Sequence, residues 1–332
     1  MTHRRSDVRT VVAALTYRRT ELLPELLAAL VAQAGTVFPH ATVLLVDNDP
    51  DAGAADVVHG CAACGVRYVH EPRPGISAAR NRALAEAADA DILVFLDDDE
   101  LPGPNWLASL IGAWRTWGCA AVAGPVPARL LGPVDPWVAG SGIFDRTRRA
   151  TGTRLTGAGA GNLLLDLRQV RSLGLTFDER FGLTGGEDTL FTHQLVHAGA
   201  QIRWCDEAEA VESVPTGRLT RSWVLQRSFR SGSSWSRAEV HLTDGAGARW
   251  RLRSVLTARA AVRAGQASLA LLGALLRRDV AARARAECVM ASYAGLVVGS
   301  FGYVREEYAR PAGPVAAPVP APSEERWHAA TR

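Results

Sequence analysis

Three observations predict an α/β protein with a mostly parallel central sheet followed by C-terminal helices. Apolar strand-like runs alternate with helix-like segments through the first half, acidic residues follow those runs, and the last third is rich in Ala and Leu. Val8–Leu15 is a short β-branched run and reads as a buried strand. Glu21–Ala34 carries Leu22, Leu26 and Leu30 at helical spacing, with Thr20 expected as its cap and Pro24 in the tolerated first turn. Ala41–Val46 is expected as a strand, Ala52–Ala63 as a helix, Val66–Val69 as a strand, Ile76–Ala88 as a helix and Asp91–Leu96 as a fourth strand. Strands joined through helices imply right-handed βαβ units, whose ligands bind beyond the carboxyl ends of the strands.

Those ends bear Thr16-Tyr17, Asp47-Asn48-Asp49, Glu71 and Asp97-Asp98-Asp99-Glu100. Any one acid could serve a turn, but four strand ends bring polar or acidic groups to one rim. Pro125–Gly161 blurs into Gly, Pro and Arg and is expected as irregular acceptor-side structure or a mobile loop. Further strands are expected at Asn162–Asp166 and Gln201–Cys205, and helices at Glu187–Ala198, Leu219–Trp235, Arg251–Leu276 and Val280–Val304. Residues 311–322 alternate Pro, Ala and Val and predict an extended, disordered tail.

The net charge of +3 conceals an asymmetry. From Thr216 onward there are 18 Arg against 8 acidic residues, and the chain contains no Lys. Every fixed positive charge is therefore a guanidinium, suited to bidentate contacts with phosphate or carboxylate. Five scattered Cys, with Cys61 and Cys64 as a lone CxxC, do not make a disulfide framework. The apolar run after Arg4 and Arg5 is too short for a secretory signal, so a cytoplasmic setting is expected. The C-terminal apolar runs fall short of a membrane span, and their Arg flanks leave two readings open: peripheral contact with the inner face of the plasma membrane, or packing on the catalytic domain.

Asp97-Asp98-Asp99 ends the apolar run Ile92–Leu96. Three adjacent carboxylates repel one another unless a cation is near, and hard oxygen ligands suit Mg²⁺ or Mn²⁺ shared with substrate phosphates. The residues Val46-Asp47-Asn48, Pro74-Gly75-Ile76-Ser77-Ala78-Ala79-Arg80-Asn81, Phe95–Glu100 and Gly185-Gly186-Glu187-Asp188-Thr189-Leu190-Phe191 follow one another in an order that resembles a family-2 glycosyltransferase. The resemblance spans roughly residues 8–240 and implies the GT-A nucleotide-sugar fold with inverting transfer. It implies donor contacts at Thr16, Asp47, Arg80, Asn81, Asp97 and Asp98, and metal ligation by Asp99 and Asp97. Asp188 takes the general-base position, with Glu187 beside it and Gly185 and Gly186 lining the acceptor pocket. Arg227 and Arg230 fall where many members keep cations for the leaving diphosphate. Two departures stand out: Phe229 replaces the Arg of a processive Gln-x-x-Arg-Trp motif, and no Asn precedes Arg in Thr16–Arg19.

The expected division is a catalytic domain over 1–240, a helical extension over 241–310 and a tail over 311–332. The expected partners are a nucleotide-sugar donor, with UDP first by family frequency, and a glycan, lipid-linked or small-molecule acceptor; nucleic acid is not expected. A nucleotidyltransferase shares the acidic site but has no use for Glu187-Asp188, and a dinucleotide-dependent oxidoreductase would require GxGxxG after the first strand. A non-catalytic polyanion binder working through the basic half would leave Gly185–Asp188 without a purpose. His193 and His197 share a helix face but lack a third ligand, and are read as structural.

Overall fold

A computed structural model describes residues 8–37, 41–60 and 65–303. The strands fall where the alternation predicts them: β1 (Thr10–Thr16), β2 (Thr42–Asp47), β3 (Val66–His70) and β4 (Ile92–Asp97). Between them lie α1 (Leu23–Gly35), α2 (Ala55–Gly60) and α3 (Ile76–Glu86). Thr20 does not cap α1. Leu22 holds the N-cap position without a side-chain bond, while Thr20 lends only its carbonyl to the Leu23 amide at 3.3 Å.

The main sheet also contains β6 (Ala121–Ala123), β8 (Arg154–Leu155), β9 (Asn162–Asp166) and β10 (Ile202–Trp204), in the order β3-β2-β1-β4-β9-β6-β10-β8. Only β9 and β8 run against their neighbours. Every residue of β1 is buried, because helices cover both faces. On one face Val12 and Ala14 pack with Leu26, Leu27 and Leu30 of α1 and with Leu107 and Leu110 of α4 (Trp106–Trp117). On the other, Val11, Ala13 and Leu15 join Ala79 and Ala83 of α3 and Phe191 and Leu195 of α7 (Glu187–His197). This period-two division is what a doubly covered strand requires.

The stretch from Pro125 to Gly161 is more regular than expected. It holds β7 (Ala128–Leu130), β8 and a short α5 (Pro136–Gly140), whose first turn is capped by Asp135 accepting from the Trp137 amide. β5 (Glu100–Pro102), β11 (Ala210–Val214) and β7 form a second, three-stranded sheet ordered β5-β11-β7. β5 begins one residue past the acidic triplet, so this small sheet anchors the loop at the end of β4. A further helix, α6 (Leu167–Ser172), follows β9 directly, with Asp166 as its N-cap.

Three long helices close the described chain: α8 (Arg221–Leu242), α9 (Ala246–Arg277) and α10 (Val280–Ser300). α8 and α10 cross so closely that a Cβ on Gly295 would collide with the Phe229 carbonyl, and one on Gly232 with that of Ser292. The helical layer thus begins inside the segment assigned by sequence to the catalytic domain. No helix among the described residues is long and apolar enough to cross a membrane. Cys61 and Cys64, the first seven residues and the Pro/Ala-rich tail lie outside the described residues. Cys119 and Cys205 are buried free thiols.

Candidate active site

The carboxyl ends of β1 and β4 open into a cleft of about 890 Å³. Thr16, Arg80, Asp97, Asp98, Asp99, Asp188, Arg227 and Arg230 all line it. Five other expected residues do not: Asp47, Asn81, Gly185, Gly186 and Glu187 stand behind the lining.

Three of these hold the frame of the cleft. Asp47 is fully buried, and its carboxylate accepts from the Asp49 and Ala54 amides at 2.9 Å and from the Tyr68 hydroxyl at 3.0 Å. It shapes the loop after β2, and the neighbouring Asn48 faces the cleft instead. Asn81 clamps the backbone of Phe177, giving and receiving one hydrogen bond of 2.8 Å each. Gly186 sits at φ 89°, where a Cβ would also meet Ser234 at 2.7 Å, so it sets the entry into α7 against α8.

The three aspartates at the end of β4 are handled differently. Asp98 accepts from Thr16 Oγ1 at 3.0 Å and from Arg19 Nη1 at 2.7 Å. Asp99 accepts from the same Arg19 nitrogen at 2.9 Å and from Arg218 Nη1 at 3.0 Å. Arg218 also reaches Glu212 at 3.1 Å, and Arg146 Nη2 holds the other Glu212 oxygen at 2.7 Å, so a chain of three guanidiniums links Asp98, Asp99 and Glu212. Asp97 is the least compensated: Arg80 Nη2 stands 3.7 Å away. The Asp97 side chain is 43% accessible and lines the cleft. Burial, reinforced by repulsion from Asp99, Asp98 and Asp188 against the pull of Arg80, raises its pKa to about 6. Glu100 behind it is buried with Oε2 unbonded, and burial with repulsion from Asp97 pushes its pKa well up. Gly161 completes this corner, since a Cβ there would stand 2.6 Å from Glu100 Oε1 and 2.9 Å from Asp97 Oδ2.

Across the cleft, α7 carries the second acidic pair. Glu187 is buried, with Oε1 at 3.5 Å from Arg80 Nε, and desolvation lifts its pKa to about 7 despite that neighbour. Arg80, held over the rings of Phe95 and Phe177, therefore lies between Asp97 and Glu187 and links the two sides. Asp188 Oδ1 is engaged by the Thr189 amide at 2.6 Å and the Thr189 hydroxyl at 3.3 Å. Oδ2 turns toward Gly159, where even an added Cβ would stay 3.6 Å distant, and accepts no hydrogen bond from the described residues.

The remaining wall comes from the Pro125–Gly161 stretch and α8. Phe144 stacks on Trp223 at 5.9 Å with an interplanar angle of 8°, and Trp204 lines the same side. His193 and His197 stand elsewhere: His193 contacts Glu239 at 2.8 Å and His197 bonds the His193 carbonyl, as structural groups would.

The donor set suits a hard divalent cation. Among the described residues no three His, Cys, Asp or Glu side chains converge in a ready-made cage. Mg²⁺ and Mn²⁺ need none, because they take one or two carboxylates and complete their shell with phosphates and water. Asp97 and Glu100, which lack a close guanidinium, stand beside Asp99 and supply the charge that such an ion compensates.

The chain is similar to known proteins in sequence and in fold. The family described as Glycosyl transferase family 2 matches residues 12–165. The succinoglycan biosynthesis protein ExoM of Rhizobium meliloti (strain 1021) is 35% identical over 296 residues, 88% of this chain and 92% of the relative. The pre-mycofactocin glycosyltransferase of Mycobacterium tuberculosis (strain CDC 1551 / Oshkosh) is 28% identical over 211 residues, 59% of this chain and 44% of the relative. Among solved structures, the mannosyltransferase PcManGT from Pyrobaculum calidifontis in complex with GDP-Man and Mn²⁺ superposes with a TM-score of 0.60 at 19% identity, covering 89% of this chain and 86% of that one. S. aureus TarS 1-349 in complex with UDP gives 0.50 at 15% identity, covering 89% and 92%.

Proposed function

The chain belongs to glycosyl transferase family 2 and is a glycosyltransferase of the GT-A fold, and from that premise we propose that it moves a sugar from UDP to a hydroxyl of a lipid-linked cell-surface glycan, with inversion. The observation that carries this reading is the placement of Asp188 in the same cleft as Asp97, Asp98 and Asp99. One side holds negative charge suited to a cation and a diphosphate, and the other presents a carboxylate oxygen that accepts no hydrogen bond from the described residues.

Asp188 Oδ2 takes the proton of the acceptor hydroxyl as the acceptor oxygen attacks the anomeric carbon. The new glycosidic bond forms while the bond to the diphosphate oxygen breaks on the opposite face, and the nucleoside diphosphate departs with the electron pair. Thr189 holds Oδ1 and so fixes which oxygen receives the proton. Arg227 and Arg230 of α8 receive the leaving diphosphate, and Arg19 and Arg218 exchange their carboxylate partners as the donor enters. Thr16, Arg80 and Asp98 bind and orient the nucleotide end, with Asp47 and Asn81 holding the loops that carry these groups. Asp99 and Asp97 would hold a divalent cation, which neutralises charge developing on the diphosphate. Glu187, Gly185 and Gly186 set the position of Asp188 and the acceptor edge.

Similarity to ExoM along nearly its whole length supports a role in polysaccharide biosynthesis. The proposed acceptor is a glycan at the inner face of the plasma membrane, a setting that the Arg-flanked apolar C-terminal helices suit, with residues 1–240 as the catalytic domain and 241–310 as its helical extension. Titration calorimetry with UDP, GDP and TDP in Mn²⁺, then in EDTA, tests the donor site. Micromolar UDP binding, lost in EDTA and in Asp99→Ala, is the expected result. Metal-independent binding, or none to any nucleotide, would reject the assignment.

A further inference from the structure

The outer face of α9 is out of keeping with a helix that merely packs on its neighbours. Leu256, Ala260, Ala267 and Ala274 are its buried positions, a narrow seam of small and branched side chains. On the opposite face stand Val255, Val262, Leu269, Leu272 and Leu276, all exposed, with Leu269 at 74% and Leu276 at 79%. Val255, Val262, Leu269 and Leu276 recur every seven residues, so they form one continuous stripe along the helix. Its 32 residues extend about 48 Å at 1.5 Å per residue. Single exposed apolar residues are ordinary, but a file of Val and Leu repeated from Val255 to Leu276, about 32 Å of one helix, marks a contact surface.

Charge identifies what the stripe contacts. α9 contains six Arg and no Asp or Glu. Arg259, Arg263 and Arg277 are exposed along one border of the stripe, and exposed Arg251 stands one turn before its start. Near its beginning, exposed Trp250 and Phe301 lie 6.1 Å apart, with Arg253 over both rings and exposed Tyr303 close in sequence. A second copy of this chain would set Arg against Arg. An anionic lipid surface instead takes the Leu and Val side chains among its acyl chains, the guanidiniums at its phosphates and the aromatic rings at its interface. α9 is too polar to cross the bilayer, as noted above, but it is built to lie along one.

We propose that α9 docks the enzyme flat on an anionic phospholipid leaflet, its Val255–Leu276 stripe entering the acyl boundary and its Arg border meeting lipid phosphates. α9 packs on α10, and α10 packs on α8, whose Trp223, Arg227 and Arg230 line the cleft. The docked helix therefore fixes how the cleft is presented to a membrane-held acceptor. The membrane-side acceptor proposed above is the setting on which this docking rests. Vesicle binding is measured without sugar transfer, so either can fail alone.

The test is flotation of the full chain with phosphatidylcholine vesicles, with and without phosphatidylglycerol, at low and high salt. Two exposed-face variants, L269E/L276E and R259E/R263E, are compared with the parent. Circular dichroism reports their folding, calorimetry their UDP binding and light scattering their mass. The expected result is binding to anionic vesicles, weakened by salt and reduced about tenfold or more in each variant, with UDP binding unchanged. Equal flotation of parent and variants would overturn the proposal. So would a parent dimer that becomes monomeric in L269E/L276E without flotation, which would assign the stripe to a second copy.

Discussion

The sheet rim and the helical layer solve opposite problems. At the rim, acids are crowded together and the fold restrains their repulsion with guanidiniums: Arg19 bridges Asp98 and Asp99, Arg218 bridges Asp99 and Glu212, and Arg80 stands between Asp97 and Glu187. In the α8–α10 layer the restraint is steric, with backbone meeting backbone at glycines. Substrate charge can reorganise the first kind of order, because each Arg can exchange a carboxylate for a phosphate. The second kind cannot rearrange without opening a helix interface. A transferase needs both: an adaptable donor corner and a fixed wall to hold the groups that meet the leaving diphosphate.

Gly295→Ala tests the rigid side most severely. Its Cβ would strike the Phe229 carbonyl of α8, and a loss of about 3 kcal/mol is expected in chemical denaturation. UDP affinity should fall as well, because Arg227 and Arg230 flank that contact; unchanged affinity would show that the wall is not coupled to the donor corner.

Glu187→Gln probes the electrostatic side through pH. The carboxyl of Glu187 is raised from 4.5 to about 7 in the folded chain, so the native state holds a proton that the unfolded chain has released. The favourable contribution of this neutral acid is complete below pH 4.5 and disappears as pH rises through 7. At pH 8 the variant should therefore be more stable than the parent by up to about 3 kcal/mol, with little difference at pH 4. Equal stability at both values would mean that Arg80 fully compensates the charge.

A smaller effect is expected from Gly161→Ala, which crowds Glu100 and Asp97 with one methyl group. A loss of about 1–2 kcal/mol in stability, with a clear drop in Mn²⁺-dependent UDP affinity, would tie the acidic corner to donor binding. A stability loss alone would separate them.

The strands of the rim were legible because β1, β2 and β4 are apolar runs closed by polar residues. Asn162–Asp166 was located to the residue, since a short branched run between Gly and a capping Asp has few alternatives. Motif position did not disclose where side chains turn. Asp47 and Asn81 stand inside the motifs, yet their bonds go to the Ala54 amide and the Phe177 backbone. Arg19 and Arg218 are not legible as site residues, because they meet Asp99 across 80 and 119 residues of chain. Nothing local marks one guanidinium among many as a bridge. α4 could have been found from the spacing of Trp106, Leu110 and Trp114, whereas β5, β7 and β11 become strands only through one another.

The central claim is that one cleft divides donor charge from acceptor proton transfer. Single-turnover kinetics of Asp188→Asn beside UDP-binding calorimetry test it most directly. The account predicts transfer slowed by about 10²–10⁴-fold with UDP affinity within a factor of about two of the parent. Retained turnover, or donor binding lost in step with it, would contradict it.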